Sequence, residues 1–591
     1  MINTFVLARS SSLLRSFSKS QFDAVIQRLS SFTSRHILQE RNDQSGTLLT
    51  RFTKHVAIEL QKDTPIVPTS IRYSDFFPIT DIRYLRNELA RITSDQLPAL
   101  IIFAFTYRAN ADPQKYASLL NELDARALHL LPNMDMDTIL RTLYAFLYLM
   151  PNWIMQIDFY NAAMKRLTTN EFVETITKDK FVQICFYLGF NKSRDVQLVG
   201  TFKKFLNRHI DSHLPNLITL DFVVIANAAF KTSIRVESEL YNERLNEELK
   251  KLSLNEATND PLLISLIKSI RLQRIQSEQV CEHLKKLCTH DIFERIQLRG
   301  CMHLFAYFAD NHWDDNTAIE RLVEHCLQRL QSPKRFDTLA NEEVRCKELA
   351  TFLWCCAQLN YKISENDLKR IELMILNKIN QNEFQYFVDQ LVDSCLSLWT
   401  LGHKSRDLIE ATIDLKLRPQ YNNKNDQREK PKVESRFEVL LAAIAIEEPT
   451  WNLKKLKISP TQKVDTPAPA YLLKSRSDFA EISNKISEHP NVNSVDLVCP
   501  IFGINIPSIL VSYKGPDNVK MFIELLSDEQ ELKCSKSPIG LMRLKIRLLK
   551  SMGYKVNILP MADYESNTNS LDELLNNVES DDVAKAQSLN I

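Results

Sequence analysis

The sequence predicts a mainly α-helical protein, an α-solenoid of helix-pair repeats followed by a small α/β domain. Three observations carry this. Residues 80–420 are rich in Leu, Ile and Phe, nearly free of glycine, and apolar at helical spacing. Apolar anchors recur there in steps of 41 residues, aligned at Phe105, Phe146, Tyr187, Ala228 and Ser269. Beyond residue 490 the pattern changes to β-branched runs bounded by turn residues.

At the N-terminus, residues 1–40 read as a mitochondrial transit peptide. Over residues 1–38, Arg9, Arg15, Lys19, Arg28 and Arg35 stand among nine serines with one acid, Asp23. Arg9 and Arg15 interrupt every candidate secretory core. A disordered basic terminus without targeting meaning is the alternative. No apolar run approaches the ~20 residues a membrane span needs; the best, 97–105, has nine.

The array is expected over residues 80–417. Its anchors are LIIFAFTY (100–107), TLYAFLYL (142–149), QICFYLGF (183–190), VIANAAFK (224–231) and SLIKSIRL (265–272). Less regular copies follow at 301–308, 351–359 and 394–402. A second amphipathic stretch separates successive anchors, as in residues 199–210, where Phe202, Phe205 and Leu206 oppose Lys203, Lys204 and Arg208. Two helices per ~40 residues describe an α-solenoid, whose concave face suits extended polymers. A non-repetitive helical domain is the competing reading, because residue identity between the units is poor.

Composition closes off several classes. Hydrophobic residues make up 44% of the 591, which excludes global disorder. The 74 basic residues balance 73 acidic ones, so any phosphate-binding surface must be local. The nine glycines, at 46, 189, 200, 300, 402, 503, 515, 540 and 553, are never closely spaced. Phosphate loops, dinucleotide fingerprints and nucleophile elbows need clustered glycines, so none is present. The eleven cysteines never form CxxC, and His209 and His213 lack the Glu of HExxH, so no metal ligand is expected. Trp354-Cys355-Cys356 reads as helix core, without the electropositive setting a reactive thiol requires.

Residues 418–434 have a linker's composition, and 435–490 a short helix (437–446) followed by an irregular, proline-punctuated stretch. The α/β domain is expected over 495–565: strands at 495–498, 504–513, 521–526 and 554–559, and a helix at 540–553. That helix contains Arg543, Lys545, Arg547 and Lys550 and no acid. Arg543, Arg547 and Lys550 share one face opposite Leu541, Leu544, Leu548 and Met552. An uncompensated cationic stripe suits phosphate contact; a solvated amphipathic face is the plainer alternative. Residues 566–591 form an acidic tail.

VDLVCPIFGINIPSILVSYKGP (495–516) and SPIGLMRLKIRLLKSMGYKVNILPMADYE (537–565) together resemble the RAP domain. LATFLWCCAQLNY (349–361) and residues 388–413 look like the first helical region of FAST kinase domain-containing proteins, placing a FAST-like region at about 345–415 and a second at 435–490. The resemblance implies a mitochondrial matrix protein that binds organellar transcripts and controls their processing, stability or translation. The partners it implies are mitochondrial single-stranded RNA and other mitochondrial RNA-processing proteins. It also implies a restriction-endonuclease-like RAP fold, similar to the PD-(D/E)xK nuclease core. The usual RAP strand carries Glu-x-Asp-Gly-Pro with a His soon after. Here Ser512-Tyr513-Lys514-Gly515-Pro516 replaces it, with Asn518 at the His-like position. Asp496 is then the only carboxylate well placed on a strand, too few for a metal site. The domain therefore reads as a non-catalytic RNA clamp in which Lys514 opposes the Arg543/Arg547 face, with no cofactor. Rival readings are an endoribonuclease dependent on Asp496 and a peptide-binding scaffold.

Overall fold

The computed structural model describes residues 66, 71–77, 81–107, 113–149, 154, 157–169, 176–190, 196–252, 260–331, 344–416, 430–451, 464–474, 476–514, 520–566, 571 and 575. The chain is mainly helical with a small C-terminal four-stranded mixed sheet, and it divides into two compact units at Leu304/Phe305. Among the described residues no helix is long and apolar enough to cross a membrane.

The first unit contains α1 (Ile82–Arg91), α2 (Leu97–Tyr107), α3 (Pro113–Leu130), α4 (Met136–Leu149), α5 (Asp158–Leu167) and α6 (Lys178–Leu188). It continues with α7 (Val196–His213), α8 (Thr219–Lys231), α9 (Glu239–Lys251), α10 (Asp260–Gln273) and α11 (Glu278–Lys285). The five 41-residue anchors fall on α2, α4, α6, α8 and α10, and each of these helices packs on the next. Between them the intervening helices form a second row, with α1 against α3, α3 against α5, α7 against α9 and α9 against α11. Polar side chains stitch neighbours together: the Asp124 carboxylate on α3 accepts the Asp158 and Phe159 N–H groups that open α5, at 3.1 and 2.9 Å. Ser269 on α10 donates to the Ala226 carbonyl of α8 at 2.9 Å.

A segment helical on both sides of Gln297, α12 (His290–Asp310), runs through the division between the units. The second unit then contains α13 (Asn316–Gln331), α14 (Cys346–Gln358), α15 (Glu365–Asn380), α16 (Val388–Thr400), α17 (Arg406–Lys416) and α18 (Lys430–Glu447). Here α14 packs on α16 and α16 on α18.

A turn motif that the apolar anchors did not reveal recurs along the chain. Ser233, Arg274, His312, Asn360 and Gly402 each take positive φ just after an anchor helix. The following N–H reaches back five residues: Ile234 to Ala229, Ile275 to Ile270, Trp313 to Phe308, Tyr361 to Cys356 and His403 to Leu398, at 2.9–3.2 Å. This is the Schellman closure of a helix C-terminus. Within three to five residues comes a cap for the next helix, at Ser238, Ser277, Asp315, Ser364 and Ser405.

The sheet comprises β1 (Val492–Val498), β2 (Ser508–Tyr513), β3 (Lys520–Leu526) and β4 (Lys555–Pro560), in that spatial order. β1–β2 and β2–β3 are antiparallel and β3–β4 parallel. One face packs on α19 (Ser477–Ser487) through Phe479, Ile482 and Ile486 against Ile509, Val511, Met521 and Ile523. On the other lies α20 (Gly540–Ser551), the crossover between β3 and β4; α21 (Met561–Ser566) follows β4.

Several sequence boundaries are corrected. β1 starts at Val492 rather than 495, and β2 at Ser508 rather than 504. The segment before β2 turns at Gly503 (φ +79°), where a Cβ would crowd the Val439 backbone of α18. The linker of 418–434 is helical from Lys430, because α18 extends well upstream of Phe437. Leu571 and Leu575 are buried in the α19 side of the core, so the acidic tail contributes to packing there. The expected transit peptide, the Gly515-Pro516 turn and Asn518 lie outside the described residues.

Gly540 opens α20 directly against the α14 C-terminus, where a Cβ would overlap the Ala357 carbonyl oxygen. Gly540→Ala is expected to cost about 1–3 kcal/mol in urea unfolding, since backbone rather than a flexible side chain must move.

Candidate nucleic-acid interface

The four cations of α20 divide into two inward and two outward. Met542, Leu544, Lys545, Ile546, Leu548 and Leu549 are buried, leaving Leu541, Arg543 and Lys550 exposed. The helix lies between the sheet and the ends of α14, α16 and α18, so it has two buried sides where an amphipathic pattern anticipates one.

Lys545 faces the sheet and is fully buried. Its Nζ donates to Glu524 Oε2 on β3 at 2.6 Å and to the Pro507 carbonyl at 3.0 Å. Ser508 Oγ donates to the other Glu524 oxygen at 2.7 Å. Burial pushes the Glu524 carboxyl up and the Lys545 ammonium down, and their mutual attraction opposes both shifts. Placing Lys545 among the phosphate-binding residues is therefore incorrect, because its ammonium has no exposed surface.

Arg547 turns toward the helical layer. Its Nε donates to Glu447 Oε1 at 2.8 Å, its Nη1 to the Thr400 carbonyl at 3.0 Å and its Nη2 to the Trp399 carbonyl at 2.7 Å. It thus satisfies orphan carbonyls at the C-terminus of α16, where the helix dipole favours a cation. Trp399 Nε1 donates to Glu447 Oε2 at 2.7 Å. All the guanidinium nitrogens are engaged, which removes Arg547 too from the phosphate-binding stripe.

The same pattern extends along the loop before α20. Lys533 N–H donates to the His312 carbonyl at 2.8 Å, and Asp314 accepts the Cys534 and Ser535 N–H groups at 2.8 and 3.2 Å. Asn360 donates to the Pro538 carbonyl. Residues 533–547 thus run across three successive helix-closing turns, at 312–314, 357–360 and 399–400.

The outward cations gather where β2 ends and β3 and β4 begin. Lys514 closes β2 and donates to the Pro490 carbonyl at 2.8 Å. Lys520 opens β3 opposite Ser512, Lys555 opens β4 opposite Met521, and Lys550 sits in the last turn of α20 just before β4. Lys514 therefore keeps company with Lys550 rather than opposing Arg543, which lies two turns back along α20. Lys514, Lys520, Arg543 and Lys550 are exposed, and none of them makes an ion pair among the described residues. Sequence reasoning missed Lys520 and Lys555 because only strand pairing brings them beside Lys514.

Asp496 is exposed on β1 and shares a sheet face with Glu524. They stand two strands and two residues apart, about 12 Å between Cα atoms from ordinary strand spacing and rise. That is too far for joint coordination of one ion, and Glu524 is sealed by Lys545.

His209 and His213 stack at 6.2 Å between ring centres, and both approach Phe181, with Phe205 packed on His209. Burial, with His213 and Arg208 nearby, lowers the His209 pKa to about 4. Cys355 and Cys356 are fully buried, and burial pushes the Cys356 thiol well up. Both are core features.

Compared with models of known protein families and with curated proteins, the chain matches none.

Lys545→Met alone strands a buried carboxylate and is expected to destabilise by about 3–5 kcal/mol, whereas Lys545→Met with Glu524→Leu regains most of it; denaturant unfolding of both variants checks this. Since His209 titrates lower in the folded state than its ordinary value, acid favours unfolding. Stability is intact above pH 6.5 and declines by roughly 1–2 kcal/mol as pH falls toward 4. Thermal melts of His209→Phe against wild type should show this slope flattened.

Proposed function

We propose that the chain is a mitochondrial RNA-binding regulator related to the FAST kinase domain-containing proteins, acting on the processing, stability or translation of organellar transcripts without catalysis of its own. The observation that carries this reading is the rim of exposed cations Lys514, Lys520 and Lys550, with the half-buried Lys555 beside them and the exposed Arg543 further along α20. Lysines on three strand ends and one helix end form a local positive field in a chain of net charge +1. Phosphate neutralisation by such groups supplies most of the sequence-independent affinity for nucleic acid.

The stacked helix pairs support an α-solenoid, and the sheet with its α20 crossover supports a RAP-like domain. In such a solenoid, successive units would offer stacking and hydrogen-bonding positions along a single strand. The endoribonuclease reading is disfavoured by the separation of Asp496 from Glu524 and by the burial of the latter. Matrix localisation rests on the composition of residues 1–40.

Replacing Lys514, Lys520, Arg543 and Lys550 together with Gln should weaken binding of a single-stranded oligoribonucleotide. It should also reduce the slope of log K against log salt by about three, at ~0.7 per lost phosphate contact. Fluorescence anisotropy across a salt series measures both, and an unchanged affinity and slope would reject the assignment.

A further inference from the structure

We propose that Trp451 is a stacking platform for an unpaired base of single-stranded RNA, with Lys550 beside it for a flanking phosphate. This rests on the RNA-binding reading above and adds to it the group that would contact a base. Trp451 follows the end of α18 and is partly exposed, whereas its neighbour Trp399 is 1% exposed. The two indoles meet edge to face, 5.8 Å between centres and 88° between planes. The Trp451 N–H donates to the Glu448 carbonyl at 3.0 Å, which ties its backbone to the helix end. An aromatic ring held this way loses little rotamer freedom when a second π-face is laid on it.

The carboxylates near the ring are neutralised. Glu447 is engaged by Arg547 and the Trp399 indole N–H, and Glu448 by Lys404 at 2.8 Å. Lys404 also lies 5.6 Å over the Trp399 ring. Both acids are thus offset by cations. α20 starts at the α14 end, reaches the α16 and α18 ends at Arg547, and presents Lys550 one turn further on. A partly exposed indole after the α18 end and an exposed ammonium one helical turn past the Arg547–Glu447 contact thus supply an aromatic face and a cation, the pairing that sequence-tolerant single-strand binding uses.

The test uses the full chain with two fluorescent probes, a uridine decamer and an abasic ribose-phosphate decamer of the same length. Trp451→Ala should weaken binding of the uridine decamer roughly tenfold while leaving the abasic strand unaffected, and Trp451→Phe should retain most of the affinity. Unaltered binding of the abasic strand also reports that the variant is folded. The proposal is overturned if Trp451→Ala binds the uridine decamer as wild type does, or if it loses both probes equally while Trp451→Phe loses neither selectively. A wild-type chain that binds neither probe removes the RNA-binding reading itself, and this role with it.

Discussion

Carbonyl groups at helix C-termini need donors, and α20 with its preceding loop supplies them. The Lys533 N–H bonds the His312 carbonyl, and the Arg547 guanidinium bonds those of Trp399 and Thr400. Asp314 and Asn360, in the same turns, bond Cys534, Ser535 and Pro538 in return. Gly540 permits the close approach at Ala357, and Gly503 a second one at Val439. The sheet is held to the other side of α20 by the buried Lys545–Glu524 pair. The α/β portion is thereby built onto the helix ends of its own unit rather than appended to them. A buried pair of this kind adds little net stability, but loss of either partner is costly, so it enforces the register of α20 on β3.

This arrangement changes how the charge of α20 is understood. A helix with four cations and no acid looks uncompensated only while its own sequence is considered. Glu524 and Glu447, on distant segments, compensate two of the four. The exposed cations left over are dispersed along the chain, at 514, 520, 543 and 550, and the fold gathers three of them, Lys514, Lys520 and Lys550, at one end of the sheet. A nearly neutral protein can carry a phosphate-binding rim in this way, since the rim needs only local excess.

Much of the architecture was legible in the sequence. The 41-residue anchors fall on α2, α4, α6, α8 and α10, because a helix buried against neighbours on both sides must be apolar over most of its length. The order of strands and the α20 helix was also readable from the change of period. The candidate site was read less well. Arg543, Lys550 and Lys514 are exposed as expected, whereas Lys545 and Arg547 face inward. A helix sandwiched between two layers defeats a one-face amphipathic pattern, and the residues that satisfy it lie about 20 and 100 positions away. Glu524 did leave a signal, as a lone acid inside the apolar run MFIELL. The turn motif left a fainter one, because only one of its five left-handed residues is glycine.

Ultraviolet crosslinking in cells, with the modified peptides mapped by mass spectrometry, bears most directly on the central claim that this rim holds RNA. The account requires RNA adducts at residues 514–520, 543–555 and 451. Recovery of the chain free of RNA, or with adducts confined to segments far from the sheet, would contradict it.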